Sequence, residues 1–258
     1  MKKIIAIVFS VFSYSVGMAA ILGLMAFLVN ACPLFSIDTG TQFFLPWLSN
    51  ALLIGLFALQ HSVMARKGFK TWLTRSVPAH VERSVYVLAS GITLIVIMLA
   101  WQPMGGMLWQ VETPAAKVGL YALYGLGWGI LFLSTFLIDH WSLFGLKQAF
   151  ANLKEDGQHA LVPRFVTPFL YKLVRHPMMT GVLILVWASP TMTLGHAYFA
   201  LLMTLYILFG TRLEEKDLVE EFGGTYKEYQ ASVPKLLPTV RSKSKAVKGS
   251  GVRTAVES

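Results

Sequence analysis

The stretch YKLVRHPMMTG, Tyr171 to Gly181, sets an arginine and a histidine directly before a proline that opens an apolar run. Proline suits the first position of a helix, because its missing N–H would be unpaired there and its φ is already helical. The residue before a proline is turned away from helical geometry, so His176 is expected at the N-cap and Pro177 in the first turn. The free N–H groups near Met178 to Thr180 then carry partial positive charge and favour an anion. Arg175 adds a cation able to grip a carboxylate or phosphate with two hydrogen bonds. Gly181, one turn on, is expected to let a ligand approach the backbone.

A second charged segment, TRLEEKD from Thr211 to Asp217, ends the following apolar run. Arg212 extends the cationic field, and Glu214 and Glu215 are carboxylates of the kind that grip ribose hydroxyls. An anion pole facing a diol-binding carboxylate suits an amino-acid nucleoside such as S-adenosylmethionine. The plainer alternative is that Arg175 and His176 only mark the edge of a membrane span. His61, beside Gln60, and His140, beside Asp139, have the intrinsic pKa for proton transfer, or else bond nearby backbone at an interface. Glu82 and Arg83 read as a structural ion pair.

These groups need elements to hold them. Of 258 residues 55% are hydrophobic and 14% charged, which fits a multi-span membrane protein better than a soluble domain. Apolar runs fall at roughly 4–29, 43–64, 84–101, 117–138, 177–193 and 196–211, the first four long enough for a bilayer core of about 30 Å. Ala19 and Ala20 mimic a signal-peptidase site, but the apolar character continues to Val29, which favours a retained helix. With six spans and the N-terminus inside, Lys117 is the only one of 22 lysines and arginines on the far side. That bias predicts both termini in the cytoplasm. The net charge of +9 is therefore topological, and no nucleic-acid-binding motif accompanies it.

The expected fold is all-α: a polytopic membrane protein with about six transmembrane helices. Residues 1–138 form a four-helix region, 139–240 a cofactor-binding catalytic region with a helical hairpin, and 241–258 a basic disordered tail. Pro190 and Gly195 bracket the hairpin turn. Pro177 and Arg212 each lie about sixteen residues from it, so equal arms of about 24 Å bring RHP and TRLEEKD to one depth. Trp47, Trp101, Trp109, Trp128 and Trp141 are expected in the interfacial belts, and Gly125 and Gly129 at a close helix contact. One cysteine, Cys32, excludes an internal disulfide and any multi-cysteine metal site; no zinc, haem or P-loop pattern appears.

The C-terminal third resembles the membrane methyltransferases typified by isoprenylcysteine carboxyl methyltransferase. The resemblance runs through His159, Leu161, Val162, Tyr171, Arg175 to Pro177, Arg212, Glu214, Glu215, Phe222, Gly223, Tyr226, Tyr229 and Pro234. Over residues 1–240 the chain looks more like the bacterial branch containing methanethiol S-methyltransferase and the NnrU-like proteins, through LQHSVMAR, PAHVERSVYVLASG, DHWSLFGLKQ, RHPMMTG, SPTMTLGH and TRLEEKDLVEEFGGTYKEY.

The resemblance implies methyl transfer from S-adenosylmethionine to methanethiol, releasing dimethyl sulfide and S-adenosylhomocysteine. It implies a multi-pass protein of the bacterial inner membrane with a cytoplasmic-side site. The partners are then a small thiol and the lipid bilayer, without nucleic acid or metal. Cofactor contacts are implied at Tyr171, Arg175, His176, Pro177, Gly181, Glu214, Glu215, His159, Leu161 and Val162, and at Gln148, which precedes the histidine element. His176 and Arg212 supply a cationic field for a thiolate, and His61 and His140 are the candidates for its proton. Two departures bear on the acceptor and the cofactor contacts. Met179 stands where the isoprenylcysteine enzymes carry tyrosine, which points to a small acceptor, and LVPRFVTP adds residues after His159. Other acceptors, an isoprenoid or a protein carboxylate, and a non-enzymatic NnrU-type role are the alternatives.

Overall fold

The computed structural model describes residues 2–42, 45–153 and 165–238. The expected basic tail, 241–258, lies outside these ranges, as do His159, Leu161 and Val162. Ten α-helices occur among the described residues: α1 Lys2–Leu28, α2 Pro46–Ala65, α3 Lys67–Leu73, α4 Ala79–Ala100, α5 Pro114–Ile138, α6 His140–Leu143, α7 Leu146–Ala151, α8 Pro177–Trp187, α9 Leu194–Phe222 and α10 Gly224–Ser232. Five of them (α1, α2, α4, α5 and α9) are long and apolar enough to cross a membrane. Their outward sides are apolar: Leu48, Leu52, Leu56, Leu59 and Val63 are all exposed along α2. A surface of that kind is at home in lipid rather than water.

The expected fifth span is shorter than its apolar run. α8 has 11 residues, about 16 Å of helix, and stops at Trp187 because the chain turns extended ahead of Pro190. There Thr191–Thr193 forms strand β2, which pairs antiparallel with β1, Met107–Gln110. This small sheet departs from the all-α expectation and fills the turn between α8 and α9. Gly195 belongs to the first turn of α9, where an added Cβ would lie 3.1 Å from Met104 N.

α9 runs unbroken for 29 residues and carries TRLEEKD within it. The hairpin arms are therefore unequal. Val186 O accepts from His196 Nε2 at 3.0 Å near the closed end, and from that level His176 is about 15 Å along α8 but Glu215 about 28 Å along α9. His176 nonetheless reaches Glu215, Nε2 to Oε1 at 3.2 Å, with α9 side chains leaning toward its N-terminus.

α8 packs chiefly on α5 rather than on its hairpin mate. A Cβ at Gly127 would lie 2.8 Å from Gly181 O, and one at Gly181 would lie 2.6 Å from Gly127 O. Gly127 is thus the contact glycine of α5, while Gly125 and Gly129 face open space. The close approach at Gly181 is to Gly127 and Leu131 of α5. The core around Phe27, Ile97, Trp101, Trp128, Leu185 and Phe199 joins α1, α4, α5, α8 and α9. Trp101 and Trp128 are core residues, not belt residues; Trp47, Trp109 and Trp141 are exposed.

Candidate active site

RHP and TRLEEKD meet at the N-terminus of α8. His176 is the N-cap and Pro177 the first helical residue, as proline geometry requires. The chain after α10 returns as a strap beside them: Arg175 N donates to Pro234 O at 2.9 Å, His176 N to Lys235 O at 3.1 Å, and Thr180 Oγ1 to Leu236 O at 2.6 Å. These bonds fix the strap against the start of α8.

Arg175 is turned inward, with 11% of its side chain exposed. Its Nε donates to Glu215 Oε1 at 2.7 Å, and its Nη1 to Gln230 O at 3.0 Å and Val233 O at 2.5 Å. It locks α9, α10 and the strap together instead of standing free for an anion. Glu215 is equally buried and also meets Lys235 Nζ at 3.4 Å.

His176 lies between the two carboxylates, Nε2 at 3.2 Å from Glu215 Oε1 and Nδ1 at 3.4 Å from Glu214 Oε2. Burial favours the neutral ring, but the two carboxylates outweigh it and hold the imidazole pKa above its ordinary value. Glu214 is the open member of the cluster, with half of its side chain exposed and His176 as its ion-pair partner. Its charge reaches Tyr171, Tyr86, Tyr206 and His61. Tyr171 is buried beneath it; its hydroxyl donates to Ser134 O at 3.5 Å and its carbonyl accepts from Tyr229 Oη at 2.5 Å. Burial, with Glu214 adding to it, pushes the Tyr171 phenol up from its ordinary range.

The other expected residues are dispersed. Arg212 is exposed and makes no ion pair among the described residues. His140 is buried against Phe136, with Nδ1 at 2.8 Å from Thr135 Oγ1 and Nε2 at 3.1 Å from Tyr14 Oη; both ring nitrogens are engaged within the α1–α5 interface. Gln148 turns its amide N–H to Ser142 O at 3.0 Å, and its buried Oε1 has no partner among the described residues. Asp139 caps α6 through Ser142 N and pairs with Lys147. Arg83 does not pair with Glu82, since adjacent helical residues do not face one another; its Nε donates to Leu143 O at 2.7 Å and its guanidinium lies over the Tyr86 ring.

His61 lies in α2 with Nε2 2.7 Å from Tyr86 Oη and Nδ1 3.1 Å from Ser90 Oγ. α2 is tied to α9 at the same end by Arg66 Nη1 donating to Asp217 Oδ2 at 2.5 Å, which brings His61 within range of Glu214. Lys235, Tyr86 and Tyr206 are site residues that sequence spacing did not single out. Lys235 follows the motif proline Pro234, the one signal that pointed toward the strap.

No family profile matches the chain, and no solved structure matches it. The chain is 52% identical over 206 residues to methanethiol S-methyltransferase of Pseudomonas deceptionensis, covering 78% of this chain and 76% of that protein. It is 43% identical over 242 residues to methanethiol S-methyltransferase 1 of Bradyrhizobium diazoefficiens, covering 93% and 84%. Nurim of Sus scrofa is more distant, 32% identical over 172 residues, covering 64% and 65%. At these identities and coverages the chain belongs to the methanethiol S-methyltransferase family.

Proposed function

We propose that the chain is an S-adenosylmethionine-dependent methyltransferase that converts methanethiol to dimethyl sulfide at the cytoplasmic side of a bacterial inner membrane. The observation that carries this reading is the half-exposed Glu214 beside His176, at one end of an apolar bundle, in a chain of this family. Charged groups at such a position are expensive unless they serve a ligand.

The residues fit the cofactor. Glu214 offers a carboxylate for a ribose diol or an ammonium. Lys235 and His176, whose pKa the glutamates raise, offer cationic partners for its carboxylate. Tyr206 presents a ring face of the kind that attracts a sulfonium. The resemblance adds His159, Leu161, Val162 and Gln148 to these contacts. Arg175 and Glu215 act as positioning residues, since each is engaged within the fold. The bound cofactor supplies an electrophilic methyl group on a sulfonium.

The protein's part is placement and a dry setting. A thiolate meeting a sulfonium loses charge in the transition state, so a low-dielectric pocket favours the transfer more than water does. The small acceptor matches Met179 in place of tyrosine. The cytoplasmic placement is supported by the gathering of Arg66, Arg175, Lys216 and Lys235 at the Glu214 end.

The test is headspace detection of dimethyl sulfide from purified protein given methanethiol and S-adenosylmethionine, alongside calorimetry of cofactor binding. Turnover is the expected result. Binding without dimethyl sulfide rejects methanethiol as acceptor, and absence of binding rejects the enzyme reading altogether.

A further inference from the structure

A line of polar side chains crosses the apolar interface between α2 and α4, and cofactor binding uses none of it. Tyr86 Oη lies 2.7 Å from His61 Nε2, and His61 Nδ1 lies 3.1 Å from Ser90 Oγ. Gln60 Nε2 donates to Ser90 Oγ at 3.4 Å, and Thr93 Oγ1 donates to Gln60 Oε1 at 3.1 Å. Packing alone has no need of five polar groups inside a membrane bundle, where each one costs stability unless paired.

Each ring nitrogen of His61 faces one hydroxyl. In the tautomer that carries the proton on Nδ1, Nδ1–H donates to Ser90 Oγ and Nε2 accepts from the Tyr86 hydroxyl. The imidazole is walled by Phe57, Tyr86 and Tyr206, with ring centroids 5.1, 5.0 and 6.5 Å away. Aromatic walls of this kind suit a small sulfur compound. Arg83 of α4 lies over the Tyr86 ring, 4.6 Å from its centroid, and α9, which carries Glu214, reaches the imidazole through Tyr206.

We propose that Tyr86 and His61 form the proton relay that ionises the thiol acceptor, and that the methyl-transfer zone lies between this pair and Glu214. The inference rests on the thiol methyltransferase reading. The thiol S–H bond breaks and its proton passes to Tyr86 Oη as the phenolic proton passes to His61 Nε2. The freed sulfur lone pair forms the new S–CH3 bond, while the electron pair of the broken methyl–sulfonium bond stays on the donor's sulfur. The proton ends on His61, balanced by Glu214, and leaves to solvent with the products. Ser90 is a positioning residue that holds Nδ1–H, and His140 has no part.

The experiment compares Tyr86→Phe, His61→Asn and Ser90→Ala with the unaltered protein in detergent. Calorimetric affinity for S-adenosylmethionine is expected to stay within about twofold in all three, while kcat for methanethiol falls about a hundredfold in the first two and about tenfold in Ser90→Ala. The residual rate of Tyr86→Phe and His61→Asn should climb about tenfold per pH unit as thiolate forms in solution. A thiol already ionised near neutrality, such as trifluoroethanethiol, should be methylated almost equally by all four proteins. Equal loss with both thiols, a flat pH profile, or unimpaired turnover of methanethiol overturns the relay. If a variant does not fold, Ser90→Ala and the unaltered protein's preference between the two thiols across pH still decide: a pH-independent preference overturns it. Failure of the unaltered protein to bind S-adenosylmethionine is a different result and removes the parent reading instead.

Discussion

Arg175 Nε donates to Glu215 Oε1 at 2.7 Å, and the two side chains are only 11% and 12% exposed. A buried pair of this kind is strongly destabilising when one partner is removed, by about 3–5 kcal/mol, because the other charge stays behind unpaired. Arg175→Ala is expected to lose that much, and also the bonds to Gln230 O and Val233 O that hold the strap. Thermal unfolding in detergent checks it. Arg175→Lys should recover only part of the loss, because an ammonium lacks the planar fork that serves three acceptors at once. A melting temperature unchanged in Arg175→Ala would return the arginine to the ligand.

Glu214 is the neighbour of Glu215 in sequence and its opposite in role. Half exposed and held by one histidine, it is expected to contribute no more than about 1 kcal/mol to folding. Glu214→Gln should therefore melt close to the unaltered protein while cofactor affinity falls about ten- to a hundredfold, as the loss of one charged contact to a ligand requires. Calorimetry on the two proteins reads the difference. Full affinity in the variant would move the diol or ammonium contact to another residue.

The meeting of RHP with TRLEEKD was legible in the sequence because proline chemistry and the hairpin turn both pointed to it. The reason given by equal arms was not the operative one: α8 is short and α9 long, yet His176 and Glu215 meet at 3.2 Å. The inward turn of Arg175 was not legible, since it depends on carbonyls of Gln230 and Val233, more than fifty residues away. Trp101 and Trp128 were misplaced because a belt and a core both accept an indole, and only the packing of α1, α4 and α9 decides between them.

His176 gives the site a pH dependence of definite sign. Its folded-state pKa is raised, with burial opposing and the two glutamates prevailing. Below the unfolded value of about 6.5 the ring is charged in either state and its contribution to stability is complete. That contribution is lost as pH rises through the raised folded value. Melting temperature is thus expected to decline on the alkaline side, and His176→Gln should flatten that limb while lowering stability at acid pH. A variant that keeps the alkaline decline would assign it to another group.

Gly127 and Gly181 make the sharpest test of which face of α5 carries α8. The sequence offers Gly125, Gly127 and Gly129 in alternation, and on a helix that is apolar all round no hydrophobic stripe fixes the phase, so spacing alone favoured the outer two. The fold uses the middle one: a Cβ at Gly127 would stand 2.8 Å from Gly181 O and 2.9 Å from Leu185 N, backbone atoms that cannot move aside separately. Gly127→Ala and Gly181→Ala are each expected to cost about 1–3 kcal/mol by overpacking. They should also weaken cofactor affinity, because α8 carries His176 at its N-terminus. Gly125→Ala and Gly129→Ala meet open space and should leave affinity unchanged, with stability rising by up to about 1 kcal/mol from helix propensity. Melting curves of the four variants decide the matter, and a reversed order, with Gly125 and Gly129 the sensitive pair, would mean that α5 is rotated away from the orientation described and that α8 rests on a different face.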